Sequence, residues 1–181
     1  GPYDYTQRAA LAQNLSIVEN FHFTPNVENL RKGENGSIPG DIDYTLSAWP
    51  NHHRALNAIS RFDLDGYKTQ KAYPIVPVEC YFQRAIAFSP NDSIPYMLYA
   101  IYLHKSGRKD LAMAQYETAE ALVPNDPQLQ YNFALLLVDM GDFERAKNYA
   151  DILYSNDFPL PGLKRKLQSS DHWDNHATAP E

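Results

Sequence analysis

The chain has 181 residues, of which 44% are hydrophobic and 21% are charged, a balance typical of one soluble globular domain. Its formal net charge of -6 argues against general binding to nucleic acid, because phosphate backbones are bound by basic faces. No apolar run approaches the ~18 residues of a membrane span, so none is predicted. Because the chain starts with Gly1 rather than Met, both a removed signal peptide and a tag remnant at Gly1-Pro2 are open interpretations.

The first 40 residues predict an N-terminal helical extension. Residues 6–21 and 24–31 are expected to be helices, and Thr24 followed by Pro25 is a favourable cap and first-turn pair. Residues 33–40 form a turn-rich connector. A short helix is predicted to start at Asp41 and to end before Pro50, with acidic side chains where negative charge favours a helix start.

A pair of helices is predicted within residues 53–90. The first covers 53–62, the second covers 78–90, and the proline- and glycine-containing stretch 63–77 between them is predicted to be a loop. The lone cysteine, Cys80, cannot form an internal disulfide. Since it lies in an apolar segment of the second helix, we expect it to be a small buried hydrophobic residue.

An internal repeat follows. Ser89-Pro90-Asn91-Asp92 recurs 34 residues later as Val123-Pro124-Asn125-Asp126. Gly107 and Gly141 stand where the first helix of each unit must end, because glycine adopts left-handed dihedrals cheaply. The prolines stop the second helices, and the Asn-Asp pairs are expected to cap the next ones. Small residues recur at the offsets where helices approach closely, namely Ala100, Ala112, Ala134 and Ala146.

Residues 93–126 and, less perfectly, 127–158 resemble tetratricopeptide repeats (TPRs). Tyr131-Asn132-Phe133-Ala134 is closest to the family's first-helix pattern. Residues 53–90 look like a third repeat with a longer loop, and 41–50 like the second half of an incomplete one.

The TPR resemblance implies an all-α fold, a right-handed solenoid of helical hairpins with about three repeats spanning 41–158. Residues 1–40 would be its N-terminal helical extension. Residues 159–181 would supply a capping helix, basic at Lys164, Arg165 and Lys166, and an irregular tail, because a solenoid needs a polar terminal helix over its last apolar face.

Three further segments, Gly1 to Tyr5, Phe21 to Pro25 and Asp41 to Leu46, are similar to exported TPR proteins of Gram-negative bacteria. This resemblance implies a removed signal peptide and a periplasmic or cell-envelope location, with the cytoplasm as the alternative. It leaves open a structural role in a bacterial envelope assembly of the pilus or secretion type.

Function in such a fold is expected on the concave face, which the first helix of each repeat lines. We therefore predict a protein-interaction scaffold or adaptor that binds a peptide or protein partner there. Arg54 and Arg61 could hold a carboxylate, Asn132 could pair with peptide backbone, and apolar residues could receive a partner side chain. The predicted partner-binding residues are Arg54, Asn57, Arg61, Met97, Ile101, His104, Lys105, Tyr131, Asn132 and Leu135.

Two alternatives stay open at this point. The N-terminal segment, rich in Tyr, Leu, Val and Phe, could itself cover the groove and so direct partners to another surface. A metal-binding or enzymatic role would use histidines, but His52-His53 and the segment from His172 to His176 lack a recognised ligand spacing. A cap or a solvated turn explains His52-His53 more simply.

The remaining enzyme signals are weaker still. Asp63-Leu64-Asp65-Gly66 lacks the downstream ligands of a calcium loop, and the chain shows neither a glycine-rich phosphate loop nor a nucleophile elbow. No catalytic residue, metal or cofactor is predicted, and the sequence leaves the partner's identity and the oligomeric state open.

Overall fold

The computed structural model describes residues 1–64 and 74–173, and within these residues all regular structure is helical. The predicted all-α class is confirmed for this part of the chain. After a 3-10 turn at Tyr5–Gln7, the helices are α1 (Ala12–Phe21), α2 (Pro25–Glu28), α3 (Ile38–Ala48), α4 (His53–Leu64), α5 (Val78–Phe88), α6 (Ser93–Lys105), α7 (Lys109–Leu122), α8 (Pro127–Met140), α9 (Phe143–Ser155) and α10 (Gly162–Ser169).

The helices pack in a regular order. From α3 to α10 each helix contacts the next one along the chain. In addition, every second helix contacts the one two places on, so that α2, α4, α6, α8 and α10 form a continuous row. From α5 to α9 the connections are short and each helix folds back on its predecessor, and the groove described below lies along this row.

Glycine ends the first helix of two successive hairpins. Gly107 follows α6 and Gly141 follows α8, and both have a left-handed φ of 84°. Gly141 donates its N–H to the carbonyl of Val138, so it closes the last turn of α8. The sequence-based prediction that these two glycines terminate helices is confirmed.

The next helices begin on aspartates. Asp92 accepts a hydrogen bond from the backbone N–H of Ile94 at 3.2 Å, and Asp126 accepts one from Leu129 at 2.7 Å. The acidic member of each Asn-Asp pair is therefore the N-cap of α6 and of α8, as expected of a residue that satisfies the orphan donors of a first turn.

The core runs through all the hairpins. The four recurring alanines, Ala100, Ala112, Ala134 and Ala146, are fully buried, which lets neighbouring helices approach closely. Aromatic rings fill the spaces between hairpins, as where Tyr116 stacks on Phe133 with ring centroids 5.1 Å apart. At the N-terminal end Phe23 and Val27 belong to the same core.

The first five residues are tied to the helical body through Asn51, a fully buried residue between α3 and α4. Its side-chain oxygen accepts the N–H of Tyr5 at 2.9 Å, and its amide nitrogen donates to Asp4 at 2.8 Å and to Asp92 at 2.9 Å. Tyr5 and Trp49 form a second, smaller apolar cluster with Val18 of α1. The N-terminal segment is thus part of the packed structure.

Several predicted helix limits are wrong. The expected helix over 6–21 is interrupted at residues 8–11, because its first turn is the 3-10 turn pinned by Asn51. The helix expected over 24–31 ends at Glu28, and the Thr24 hydroxyl donates to Glu34 instead of capping it. α3 starts at Ile38 rather than at Asp41, since Ser37 supplies the N-cap.

The expectation that Cys80 is buried is also wrong, because its side chain is exposed. In α5 the inward-facing positions are Val78, Tyr81, Phe82 and Ala85, which follow helical spacing. Cys80 lies on the opposite face of the helix.

None of the helices in the described ranges has both the length and the apolar character needed to cross a membrane. The interpretation of Asp65 and Gly66 as part of a calcium loop, and of His176 as a metal ligand, falls on residues outside the described ranges.

Candidate functional site

Five of the ten predicted partner-binding residues line one cavity of about 300 Å³. It lies between α6 and α8 and is bordered by α7 and α10. We call this cavity the groove pocket. The predicted members are Ile101, His104, Lys105, Asn132 and Leu135, and the structure adds Tyr116, Asp139 and Lys166.

Asp139 joins the walls of the groove pocket. Its carboxylate accepts a hydrogen bond from Nε2 of His104 on α6 at 2.9 Å and is paired with the ammonium group of Lys166 on α10. Burial opposes its ionised form, but the hydrogen bonds from Lys166 and His104 outweigh burial and lower the pKa of Asp139 below its usual range. One carboxylate on α8 therefore holds α6 and α10 in place on either side.

Two polar groups at the groove pocket remain open to a ligand. Lys105 is exposed and forms no ion pair or hydrogen bond within residues 1–64 and 74–173. The amide nitrogen of Asn132 donates to the backbone carbonyl of Gln128 at 2.8 Å, which leaves the amide oxygen of Asn132 as an acceptor. The pocket can therefore offer an ammonium donor and an amide acceptor beside an apolar floor of Ile101 and Leu135.

Two other predicted residues serve packing. Met97 is only 8% exposed and Tyr131 only 9%. The ring of Tyr131 packs against Phe158, with centroids 5.1 Å apart, and Gly162 of α10 lies against its hydroxyl. Met97 belongs to the main core. These side chains support the walls of the groove, and neither lines the groove pocket.

Arg54 and Arg61 lie on α4 and are already occupied. The guanidinium group of Arg54 bonds to both carboxylate oxygens of Glu28 and, at 3.0 Å, to Glu19. Arg61 donates to the backbone carbonyl of Glu28 at 2.5 Å. We call this region, defined by these four residues, the closed end of the groove. Asn57, between the two arginines, is exposed.

The charges at the closed end are mutually stabilised. The hydrogen bond from Arg54 lowers the pKa of Glu28, and the one from His52 lowers the pKa of Glu19. The pKa of Arg54 is raised, chiefly by its hydrogen bond to Glu28. A partner carboxylate would thus have to displace two carboxylates of the chain itself.

The histidines at the start of α4 are structural. The side chain of His52 is fully buried; its Nδ1 accepts the N–H of Ala55 at 3.1 Å, so its Nε2 donates to Glu19. His52 therefore caps α4, as one of the two simple explanations predicts, but it does not lie in a solvated turn. His53 donates to Asp92 at 2.7 Å. In the described part of the chain, no group of three or more His, Cys, Asp or Glu side chains could hold a metal ion.

Asp139 could have been found from the sequence, because it lies one helical turn beyond Leu135 on the same face of α8. Lys166 gave no such signal. It reaches the groove pocket only because α10 folds back onto α8 and α9, burying Leu163 and Leu167.

Comparison with known proteins yields no relative. No protein-family profile matches the sequence, and no curated protein or solved structure is significantly similar to it.

Proposed function

We propose that this chain is a protein-interaction scaffold that binds an extended segment of a partner protein in the groove pocket. The observation that carries the proposal is the convergence of five residues, chosen from the repeat register, on one cavity. The proposal is one of binding and includes no catalytic step.

The proposal also includes membership of the TPR family and a right-handed solenoid. Its support is the order of packing, in which α4, α6, α8 and α10 form a row while each also contacts its neighbours along the chain. Gly107 and Gly141 share the same left-handed φ at equivalent places, and the alanines of both units are buried. Repeated units that contact only near neighbours are the structural signature of solenoids.

The groove pocket offers an apolar floor and a polar rim. Ile101, Leu135 and the ring of Tyr116 would receive an apolar side chain of the partner. The amide oxygen of Asn132 would accept a backbone N–H, and Lys105 would donate to a carbonyl or carboxylate. Because Asp139 already fixes α6 and α10 to α8, little ordering of the pocket itself would be lost on binding.

The proposal is tested by filling the pocket. Asn132→Trp introduces a large ring at the edge of the cavity, whereas Leu111→Trp introduces the same ring at an exposed site on α7 that lies 56% open. We expect Asn132→Trp to reduce partner capture from lysate and envelope extracts by at least about tenfold, and Leu111→Trp to leave it unchanged. Equal capture by both variants, each with a native melting temperature, would rule out binding in the groove pocket.

A second candidate function is a structural role in a bacterial envelope assembly. The observation in its favour is that large apolar side chains of α1 and α3, outside the groove pocket, are exposed: Ile17 is 61%, Phe21 62% and Tyr44 53% exposed. Sedimentation of the purified chain, with Ile17→Glu and Phe21→Glu as variants, separates the two candidates. Self-association that these variants abolish would favour the assembly role, and a monomer at all concentrations would favour the scaffold.

We further propose a periplasmic or cell-envelope location, which the resemblance to exported TPR proteins supports. Fractionation of the source cells tests this directly. Recovery with cytoplasmic markers would contradict it.

A further inference from the structure

A second cavity, of about 430 Å³, lies at the opposite end of α8 from the groove pocket. Its walls come from the first turn of α8, the last turn of α9 and the segment that follows α9. The volume is within the range of pockets that bind small groups with high burial. We call it the α8–α9 cavity, and the residues that matter are Pro127, Gln130, Ile152, Asn156, Asp157 and Phe158.

One wall of the α8–α9 cavity is apolar and held in place. The ring of Phe158 packs against Tyr131 with centroids 5.1 Å apart, so its position is fixed by the core. Ile152 is 52% exposed, whereas the next residue, Leu153, is buried. An aliphatic side chain and an aromatic ring at the mouth of a cavity suit a ligand with an apolar stem.

The amides of the cavity are oriented so that they accept. Gln130 is only 7% exposed, and its nitrogen donates to the carbonyl of Pro124 at 2.9 Å. The nitrogen of Asn156 donates to the carbonyl of Ile152 at 2.8 Å. An amide oxygen could not bond to these carbonyl oxygens, so the nitrogen of each amide must be the atom that faces them. Within the described ranges neither amide oxygen receives a hydrogen bond from the protein, so both are free to accept one from a ligand.

The charge of the cavity is negative. Asp157 contributes a carboxylate, and no lysine or arginine is among the lining residues of the described chain. The cavity also adjoins the C-terminus of α9, where the helix dipole favours cations. The opposing N-terminus of α8 is already neutralised, since Asp126 accepts the N–H of Leu129 at 2.7 Å.

We propose that the α8–α9 cavity binds an arginine side chain of a partner protein. The methylene stem would lie along Ile152, and the guanidinium group would lie over the ring of Phe158. Its several N–H groups would donate to the amide oxygens of Gln130 and Asn156 and to the carboxylate of Asp157. Arginine fits better than lysine because its N–H donors are spread in a plane and can reach three separate acceptors at once.

The net charge of -6 on the chain supports the approach of a basic partner. The inference is independent of the proposed function, because none of the residues of the α8–α9 cavity lines the groove pocket.

The first test uses small probes and NMR of the full chain. Nα-acetyl-arginine amide carries the guanidinium charge without a carboxylate. Nα-acetyl-citrulline amide has nearly the same shape without the charge, and Nα-acetyl-lysine amide has an ammonium group as its cation. We expect saturable shifts of the Ile152 methyl groups and the Gln130 and Asn156 side-chain amides with the arginine probe. Affinity should fall at least about tenfold with citrulline and to a smaller extent with lysine.

The second test removes the charge while keeping the backbone. Asp157 has a φ of 57°, a left-handed conformation that asparagine also tolerates, so Asp157→Asn is expected to fold normally. It should weaken binding of the arginine probe about tenfold. Asp171→Asn is the matched control, because Asp171 has a φ of 59° and does not line the cavity.

Three results would overturn the inference. They are an absence of saturable shifts at Ile152 in the unaltered chain, equal binding of the citrulline probe, and equal effects of Asp157→Asn and Asp171→Asn. Equal or tighter binding of the lysine probe would overturn the assignment to arginine.

Discussion

The closed end of the groove and the groove pocket differ in whether their exposed cations are paired within the chain. At the closed end, Arg54 on α4 is paired with the carboxylates of Glu19 and Glu28 of the N-terminal extension, and Arg61 donates to the backbone carbonyl of Glu28. At the groove pocket, the cation Lys105 stands exposed beside an unfilled apolar floor.

The difference bears on where a partner would bind under the proposed function. A charge that has found an internal partner contributes to folding and resists ligands, because a ligand must first break that pairing. A charge without an internal partner costs the free protein little and can be used on binding. Under the proposed function, the N-terminal extension therefore restricts partner binding to the part of the groove between α6, α8 and α10.

The largest expected effect concerns packing at the two ends. Phe23 at the closed end is 1% exposed, so Phe23→Ala should reduce the free energy of unfolding by about 3–5 kcal/mol. Leu135 at the groove pocket is part-exposed, and Leu135→Ala should cost about 1 kcal/mol. Urea unfolding measures both. Similar costs would mean that the groove pocket is packed as tightly as the closed end.

A smaller effect is expected from charge reversal at the closed end. From the sequence alone, Arg54→Glu with Arg61→Glu would weaken partner binding without affecting stability. The structure changes this prediction, because a carboxylate at position 54 would lie beside Glu19 and Glu28. We expect a loss of about 1–2 kcal/mol, reduced at high salt. Arg165→Glu, on the exposed side of α10, is the control and should leave stability unchanged.

The pH response should separate the two ends. Burial lowers the pKa of His52 below its ordinary value of 6.5, so the unfolded chain binds a proton more readily. Its contribution to stability is therefore complete above pH 6.5 and is lost as the pH falls through the lower folded value. Asp139 also has a lowered pKa, below 3.8, so the bonds at the groove pocket weaken only in stronger acid.

Tryptophan fluorescence can show whether the closed end responds to falling pH before the groove pocket does. Trp49 is fully buried in the cluster with Tyr5, and Tyr5 in turn packs on His52 with ring centroids 4.3 Å apart. In a Trp173→Phe background we expect the Trp49 signal to change at a higher pH than the NMR signals of Ile101 and Leu135. The titratable and charged neighbours of His52 are Glu19, Arg54 and His53. Simultaneous transitions would contradict the separation of the two ends.

The smallest effect is expected at Lys105. Because this side chain has no partner in the described part of the chain, Lys105→Ala should change the free energy of unfolding by less than about 0.5 kcal/mol. Lys166→Ala should cost more, since it leaves Asp139 with one fewer donor. Thermal unfolding of the two variants provides the comparison.

Much of the helical framework could be predicted from the sequence, because its signals are local. Gly107 and Gly141 end helices through their own dihedrals, and Asp92 and Asp126 cap helices a few residues away. The repeat register also placed Ile101, Asn132 and Leu135 on one face, and these residues share a cavity.

The failures at the candidate site involve contacts that are distant along the chain. The pairing of Arg54 with Glu19 and Glu28 depends on how α1 and α2 fold back over α4. Lys166 reaches Asp139 only through the packing of α10. Local patterns cannot predict such contacts, since they are set by the packing of whole helices.

The central claim, that a partner binds at the groove pocket and not at the closed end, is tested most directly by site-specific photo-crosslinking. A photoreactive amino acid is placed at the exposed position Lys105 in one variant and at the exposed position Asn57 in another. We predict that the partner crosslinks at position 105 and only weakly at position 57. Crosslinking at position 57 with none at position 105 would contradict the account.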